Sequence, residues 1–459
     1  MTTTKKPKKQ KLRNAEYYDL QATFDKLYSE SKNGKTFTKI MPIILSENNI
    51  RLAYRNLKRN SGSKTAGTDN KTIKDLETWK EPDLVRYVRK RLEWYIPQPV
   101  RRVEIAKDNG KTRPLGIPTI QDRLIQQCFL QVLEPICEAK FHDRSFGFRP
   151  NRSQENAVAV AYSLMQIQHL HFVVDLDIKG FFDNVSHGKL LRQMWALGIR
   201  DKTVLSILSA MLKAEVAGIG FPEKGTPQGG IISPLLSNIV LNELDWWISS
   251  QWETMPMRKN YVRTRKDNGV AEKTYAYKVL REKSRLKECY GLRYADDFRI
   301  FCRRRQDAEK LFIATQKWLK ERLGLDISPE KSQIVNLKRK YSEFLGFKMM
   351  VKPNGKSGSK TRYTVVSHVS EKRKKKIKKR ASELVAKIKF PADKFEEHKF
   401  IMDYNSYVMG IHNYYSMATH ANQDFSEIGF SVKRTMKCRI GQRLKKSGNS
   451  LPQYVQEKY

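Results

Sequence analysis

The stretch GLRYADDFRI, residues 291–300, sets Asp296 and Asp297 side by side, with Leu292, Tyr294 and Ala295 before them and Phe298, Ile300 and Phe301 after. Taking an ionised carboxylate out of water is costly unless something compensates it, so a run this apolar does not carry two acids for packing alone. Asp-Asp is also common in plain turns, and that blander reading comes first. Against it, no Gly or Pro lies near the acids to bend the chain sharply. The pattern predicts two strands joined in a hairpin with the acids at its tip and a cation close by.

A second acidic site lies in FVVDLDIKGFF, residues 172–182. Its β-branched, apolar opening predicts a strand, on which Asp175 and Asp177, two residues apart, share one face. Carboxylates from separate strands are what a pair of divalent ions requires. One ion lowers the pKa of an attacking hydroxyl, and the other stabilises a leaving pyrophosphate.

The remainder of the chain is built for a polyanion. Lys and Arg total 88 against 48 acidic residues, a formal charge of +40. Such a field favours phosphate contacts and counterion release, but a histone-like packing protein would share it. The charge is spread through KKPKKQKLR, RKRLEWYIPQPVRR and EKRKKKIKKR with Trp and Tyr interleaved, which suits an extended groove better than one patch. The five cysteines form no C-x-x-C pair, so a reducing compartment without structural zinc is expected. No apolar run reaches transmembrane length and the basic N-terminus has no signal-like core, so a soluble intracellular protein is expected. Helices are predicted at YYDLQATFDKLY, NNIRLAYRNLKRN, DRLIQQCFLQVLEPICEAK and SQENAVAVAYSLMQIQ. From about residue 350 the chain reads as basic and mostly helical, with KPNGKSGSKTR as a boundary loop.

Four segments, in this order, resemble the group II intron-encoded reverse transcriptases and maturases. RPLGIPTIQDRLIQQ is similar to the family's fingers motif, DIKGFFDNV to its first-aspartate motif, GTPQGGIISPLLSNIVLNELD to its template- and nucleotide-positioning motif, and YADD to its catalytic box. One short motif carries a false-positive risk that four in register remove. The resemblance, from about residue 45 to the C-terminus, implies an α+β right-hand polymerase with fingers, a palm built on an antiparallel sheet, and a helical thumb. The implied domains are a basic, partly disordered segment at 1–44, fingers and palm with an N-terminal extension at 45–350, and a helical thumb or maturase domain at 351–459.

By the same resemblance Asp177, Asp296 and Asp297 are the catalytic acids and, with the backbone carbonyl of Ile178, hold two Mg2+ ions. Asp296 would bridge the ions, while Asp297 binds more weakly or only lends charge. Asp177 takes the role rather than Asp175 because the motif's acid precedes an aromatic by five residues, which Phe182 satisfies and Gly180 does not. Asp175 is then a supporting strand acid, and Asp183 is expected to cap the next helix. Lys107 and Arg113, on a hairpin turned at DNG, would grip the triphosphate, Arg113 through its planar fork. Gln228 would bond near the nucleotide sugar, with Gly225, Gly229 and Gly230 letting backbone approach the template–nucleotide pair. Phe182 would lie beneath the sugar and exclude a 2′-hydroxyl, Lys331 would donate a proton to pyrophosphate, and FLGF at 344–347 would grip the primer. Outside these motifs the same residues would read as a turn, a solvated basic hairpin and a surface lysine.

EKRKKKIKKRASELVAKIKF is expected to be a basic helix whose outward lysines, Lys374, Lys375, Lys376 and Lys378 among them, contact a template–primer backbone. Tyr404, Tyr407, Ile411, Tyr414 and Tyr415 recur at helical spacing, mostly as bundle core. NLKRNSGSKTAGTDNKTI resembles the family's template-clasping N-terminal extension. The chain ends at LPQYVQEKY without the paired Cys and His of the HNH-type endonuclease that many relatives carry, so intrinsic DNA cleavage is not expected. The implied function is Mg2+-dependent RNA-directed DNA synthesis with help to intron splicing and mobility. The implied partners are intron RNA, an RNA template with its DNA primer, deoxynucleoside triphosphates and a DNA target, with no membrane. The setting would be bacterial cytoplasm or nucleoid, or an organelle. Two alternatives remain: an RNA-binding splicing cofactor that no longer polymerises, and a reverse transcriptase domesticated for repair or defence. The first fits poorly with the retention of Asp177, Asp296, Lys107, Arg113 and Gln228.

Overall fold

Ser46 accepts a hydrogen bond from the Asn49 amide and so starts helix α1 (Glu47–Arg59), which Glu47 opens and Lys58 and Arg59 close. Each charge lies at the end of the helix dipole that favours it. The buried side of α1, with Ile50, Ala53 and Leu57, packs on α2 (Ile120–Glu138). In α2 the residues Ile120, Leu124, Ile125, Phe129, Val132 and Ile136 are all wholly buried, so this helix is core on nearly every face. Buried Asn49 ties the two helices, donating to the Cys128 carbonyl at 3.1 Å and receiving Gln131 at 2.6 Å.

The computed structural model describes residues 14–106, 110, 112–226, 229–257, 259–265, 269, 271–358 and 360–441, and for 14, 113, 357 and 360 the backbone alone. The described residues fall into two compact units, one within Met1–Ala157 and Val174–Ile334 and the other within Val158–Val173 and Val335–Tyr459.

The first unit mixes helices with antiparallel strand pairs. Strands β1 (Arg101–Ala106) and β2 (Thr112–Ile117) form a hairpin in the register Ile105 opposite Arg113. Strand β3 (Phe172–Leu176) is followed by α3 (His187–Leu197) and α4 (Ser233–Ser250), then by the antiparallel pair β4 (Cys289–Tyr294) and β5 (Asp297–Cys302) and by β6 (Gln333–Asn336). The resulting sheet runs β4-β5-β3-β6, with α4 packed on β4. The cap of α3 is Ser186, whose hydroxyl accepts from the Lys189 amide. Asp183, expected there, sits instead inside the short helix Phe181–Asn184. Ser186 wins because it is the residue at which the chain is still extended, as a cap requires.

The second unit holds the sheet β9-β8-β7, made of β7 (Ser342–Phe344), β8 (Phe347–Ser357) and β9 (Lys360–Val369), and helices α5 (Glu371–Lys389), α6 (Lys394–Tyr415) and α7 (Ala421–Ile440). KPNGKSGSKTR is therefore not a loop: it is the tip of the β8–β9 hairpin, with a register shift between Pro353 and Lys356. Both faces of that tip are exposed, so no apolar alternation marks it as strand. The tyrosine stripe of α6 differs as well. Only Tyr415 is buried, because α6 lies mainly against α5 and its other faces stay open. Among the described residues no helix is long and apolar enough to cross a membrane.

Candidate active site

Tyr294 and Asp297 close the β4–β5 pair, leaving Ala295 and Asp296 as a two-residue turn with Asp296 at its tip. Ala295 has φ +58°, a left-handed conformation that disfavours any side chain. What holds it there is Arg293, only 1% exposed. Its guanidinium donates to both oxygens of Asp245 on α4 at 2.6–3.0 Å, to Asn238 Oδ1 at 2.9 Å and to the Ala295 carbonyl at 2.8 Å. Asn238 in turn donates to the Gly147 carbonyl at 2.9 Å. A Cβ at Gly147 would meet the Ala295 nitrogen at 2.2 Å, so glycine is required for the turn to sit this close.

On the other side of the turn the acids gather. Just past the end of β3, the Asp177 carbonyl accepts the Ser328 amide at 2.7 Å, and Ile178 bridges to Ile327, which fixes the strand's exit. The Asp177 carboxylate is half-exposed and receives the Lys331 ammonium at 3.0 Å. Asp175, buried within β3, pairs with Arg299 at 2.5 Å, and the same guanidinium reaches Asp297 at 2.6 Å. Asp175 and Asp177 thus have separate cations, Arg299 standing behind the one and Lys331 before the other. Burial raises the Asp297 carboxyl above the usual carboxylate range; Asp296 and Asp177 push it the same way while Arg299 pulls it down. Its side chain is still 38% exposed, so solvent screens much of that effect.

Three acids that feel one another, with an ammonium already on one of them, form an all-oxygen site that attracts cations. Among the described residues no three His, Cys, Asp or Glu side chains converge tightly enough to hold a metal ion unaided. The donors are all oxygen, the kind a hard divalent cation takes.

Phe182, 9% exposed, lines a cavity of about 280 Å³ together with Gly116, Gly225 and Thr226, while Phe181 is packed beside it. The Thr226 hydroxyl is buried there with no partner among the described residues. Gly225 and Gly229, at φ +99° and +128°, do permit close approach, but to protein. A Cβ would come within 3.1 Å of the Phe182 carbonyl in one case and 2.5 Å of the Gly116 carbonyl in the other. Lys107 and Gln228 lie outside the described residues, and of Arg113 only the backbone is described, on β2 opposite Ile105.

Sequence reasoning missed Arg293, Asp245, Asn238, Gly147 and Arg299. One signal was present: Asp245 is an acid in the apolar run SPLLSNIVLNELDWW, which needs a buried cation as much as YADD does.

Residues 105–349 match the family model described as reverse transcriptase (RNA-dependent DNA polymerase). The group II intron-encoded protein LtrA of Lactococcus lactis subsp. cremoris is 31% identical over 448 residues, covering 86% of this chain and 73% of that protein. Protein YkfC of Escherichia coli (strain K12) is 34% identical over 265 residues, 56% of this chain and 68% of its own length. Nuclear intron maturase 2, mitochondrial, of Arabidopsis thaliana is 25% identical over 214 residues, 35% of this chain and 28% of its own.

Proposed function

The chain belongs to the reverse transcriptases of the group II intron-encoded family and is an RNA-directed DNA polymerase, and from that premise we propose that Asp177, Asp296 and Asp297 are its catalytic carboxylates. The observation that carries this reading is that β5, opening at Asp297, pairs beside β3, which leads into Asp177, with Arg299 joining Asp175 of β3 to Asp297 of β5. Enzymes of this family use divalent metal ions; here two Mg2+ ions, held by these acids with the Ile178 carbonyl, would activate the primer hydroxyl and neutralise the leaving pyrophosphate.

This chain's own residues do the rest. The Arg293 hub fixes the turn so that Asp296 meets the reacting phosphate without rearrangement. Arg299 ties Asp175 and Asp297 together through an ion pair to each. Lys331 holds its ammonium on Asp177 until substrate arrives, and from there it is placed to pass a proton to the leaving pyrophosphate. Phe182 forms the floor on which a deoxyribose fits and a ribose does not. Lys107, Arg113 and Gln228 take the triphosphate and sugar. The two units correspond in this reading to a fingers–palm body and a thumb, and the basic surface binds intron RNA as a maturase does.

Primer extension on an RNA template with Mg2+ tests the assignment. Asp177→Ala and Asp296→Ala should lose DNA synthesis while retaining RNA in filter binding, because affinity comes from many dispersed cations. Extension at the wild-type rate by either variant refutes the metal assignment.

A further inference from the structure

Apart from the catalytic cleft, a cavity of about 520 Å³ opens where α3 and α4 pack, within the size range that holds one small organic ligand. Leu197, Ile239 and Leu323 give it apolar walls, and Lys189, Arg192 and Arg322 line it with cations. Glu243 is its one acid, tied to Arg322 at 2.5 Å, so cations outnumber anions three to one.

Trp246 also lines it, 45% exposed. Its indole N–H is engaged by the Lys140 carbonyl at 3.0 Å and its ring meets His142 edge-on at 5.0 Å. The ring is therefore held in place while much of it stays open. Gln193 adds a sharper feature. Its Nε2 donates to the Val240 carbonyl at 3.3 Å and to Glu243 at 2.8 Å, both of which only accept, so the amide orientation is settled. Its Oε1 is then a buried acceptor with no partner among the described residues. Buried acceptors without donors are rare, and this one belongs to a residue whose side chain lines the cavity.

A fixed aromatic surface, an unmet acceptor and an excess of cations are together what binds a nucleotide: the base stacks, its amine meets the acceptor, and its phosphate finds the cations. We infer that this cavity takes one splayed-out base of a bound structured RNA, a base with an exocyclic amine, at a place distinct from the polymerase's own nucleotide site. Uracil, whose edge presents two carbonyls around a single N–H, fits the acceptor less well. The inference rests on the proposed reading of the protein as an intron-RNA binder. A second copy of the chain is the poorer occupant, because a protein of charge +40 repels itself.

The test uses equilibrium dialysis of the full chain against AMP and UMP. Ala196→Trp fills the cavity from an exposed helix position, and Gln193→Leu removes the acceptor. AMP should bind wild type and Asp296→Ala alike and UMP more weakly. Both cavity variants should bind AMP about ten-fold less well, a change within the range one stacked base carries. Primer extension and the thermal midpoint of Ala196→Trp should stay at wild-type values. Undiminished AMP binding in both cavity variants, or loss of AMP binding in Asp296→Ala, overturns the inference. So does sedimentation showing that wild type self-associates and Ala196→Trp does not, which would make the cavity a protein interface. If wild type fails to retain any RNA on a filter but AMP dialysis behaves as expected, the RNA-binder reading fails while the nucleotide site stands.

Discussion

Arg293 beneath the Ala295–Asp296 turn and Lys374 within the basic helix α5 are both buried cations, at 1% and 6% exposure, yet their surroundings differ in kind. The partners of Arg293 are buried as well: Asp245, Asn238 and the Ala295 carbonyl. Lys374 pairs with buried Asp424 at 3.1 Å and with two glutamates, Glu371 and Glu427, whose side chains are more than half exposed. Asp424 has other donors too, the Val369 amide at 2.8 Å and His368. The lesson is that a buried charge commits the fold in proportion to how completely its partners are buried with it. Arg293 is closed off from water, while the Lys374 network opens onto it.

The strongest way to break that comparison is Arg293→Met. It strands Asp245 in a dry site, and loss of one partner from a buried pair costs about 3–5 kcal/mol. Chemical denaturation should register that loss, and DNA synthesis should fall with it because the turn carrying Asp296 loses its carbonyl anchor. Lys374→Met is the matched change in the second unit. With the Val369 amide still on Asp424, its cost should be about 1–3 kcal/mol. Equal losses from the two substitutions would show that partner burial does not set the scale.

A half-buried acid with no ion pair among the described residues sharpens the contrast. Glu134 on α2 has its carboxyl raised to about 7 by burial and by Glu138. An acid raised in the folded state holds its proton there after the unfolded chain has released it. Stability should therefore fall as pH rises from about 4.5 to about 7, then level off. Glu134→Gln removes this penalty, so its advantage over wild type should be absent at pH 4 and grow to the order of 2 kcal/mol by pH 7.5. Urea midpoints at the two pH values check it, and an advantage that shrank with pH would contradict the sign.

The hairpin carrying Asp296 and Asp297 was legible because its signal is local. Acids in an apolar run, six-residue strands on either side and a two-residue link leave little choice of structure. The strand at FVVDL and the helices α1 and α2 were legible for the same reason, since period and caps are written within each element. The hub under the turn was not, because Arg293 and Asp245 are 48 residues apart and nothing in either neighbourhood names the other. Lys374 lies between these cases. The buried positions of α5 are Lys374, Ile377, Ala381, Leu384, Val385 and Ile388, so extending the apolar spacing one turn back lands on a lysine in a run where every neighbour is also basic. The spacing marks the inward position, and the charge run hides it. The β8–β9 tip had no signal at all, being polar on both faces.

The smallest effect concerns which lysines of α5 are left for nucleic acid. Lys374 is internal, and Lys378 holds Glu427 at 2.7 Å, so neither is the solvated cation that the charge run suggests. Lys375 and Lys379 are exposed and one turn apart, on a shared face. If that face meets an RNA–DNA duplex, changing both to Gln should make the plot of log affinity against log salt shallower by up to about 2, since each phosphate contact contributes about 0.9. Lys378→Gln should leave the slope alone and act on stability instead. Hydrogen bonds from Lys378 and Lys374 lower the Glu427 carboxyl to about 2, so its contribution is full above the unfolded carboxylate range and lost as pH falls through that value. Weakening the pair should move acid unfolding of the second unit to higher pH with little change at neutrality, because the pair lies near solvent. If Lys378→Gln flattened the salt dependence as much as the Lys375 and Lys379 pair does, then Glu427 would be no real partner in solution, and the division of α5 into inward and outward cations would fail.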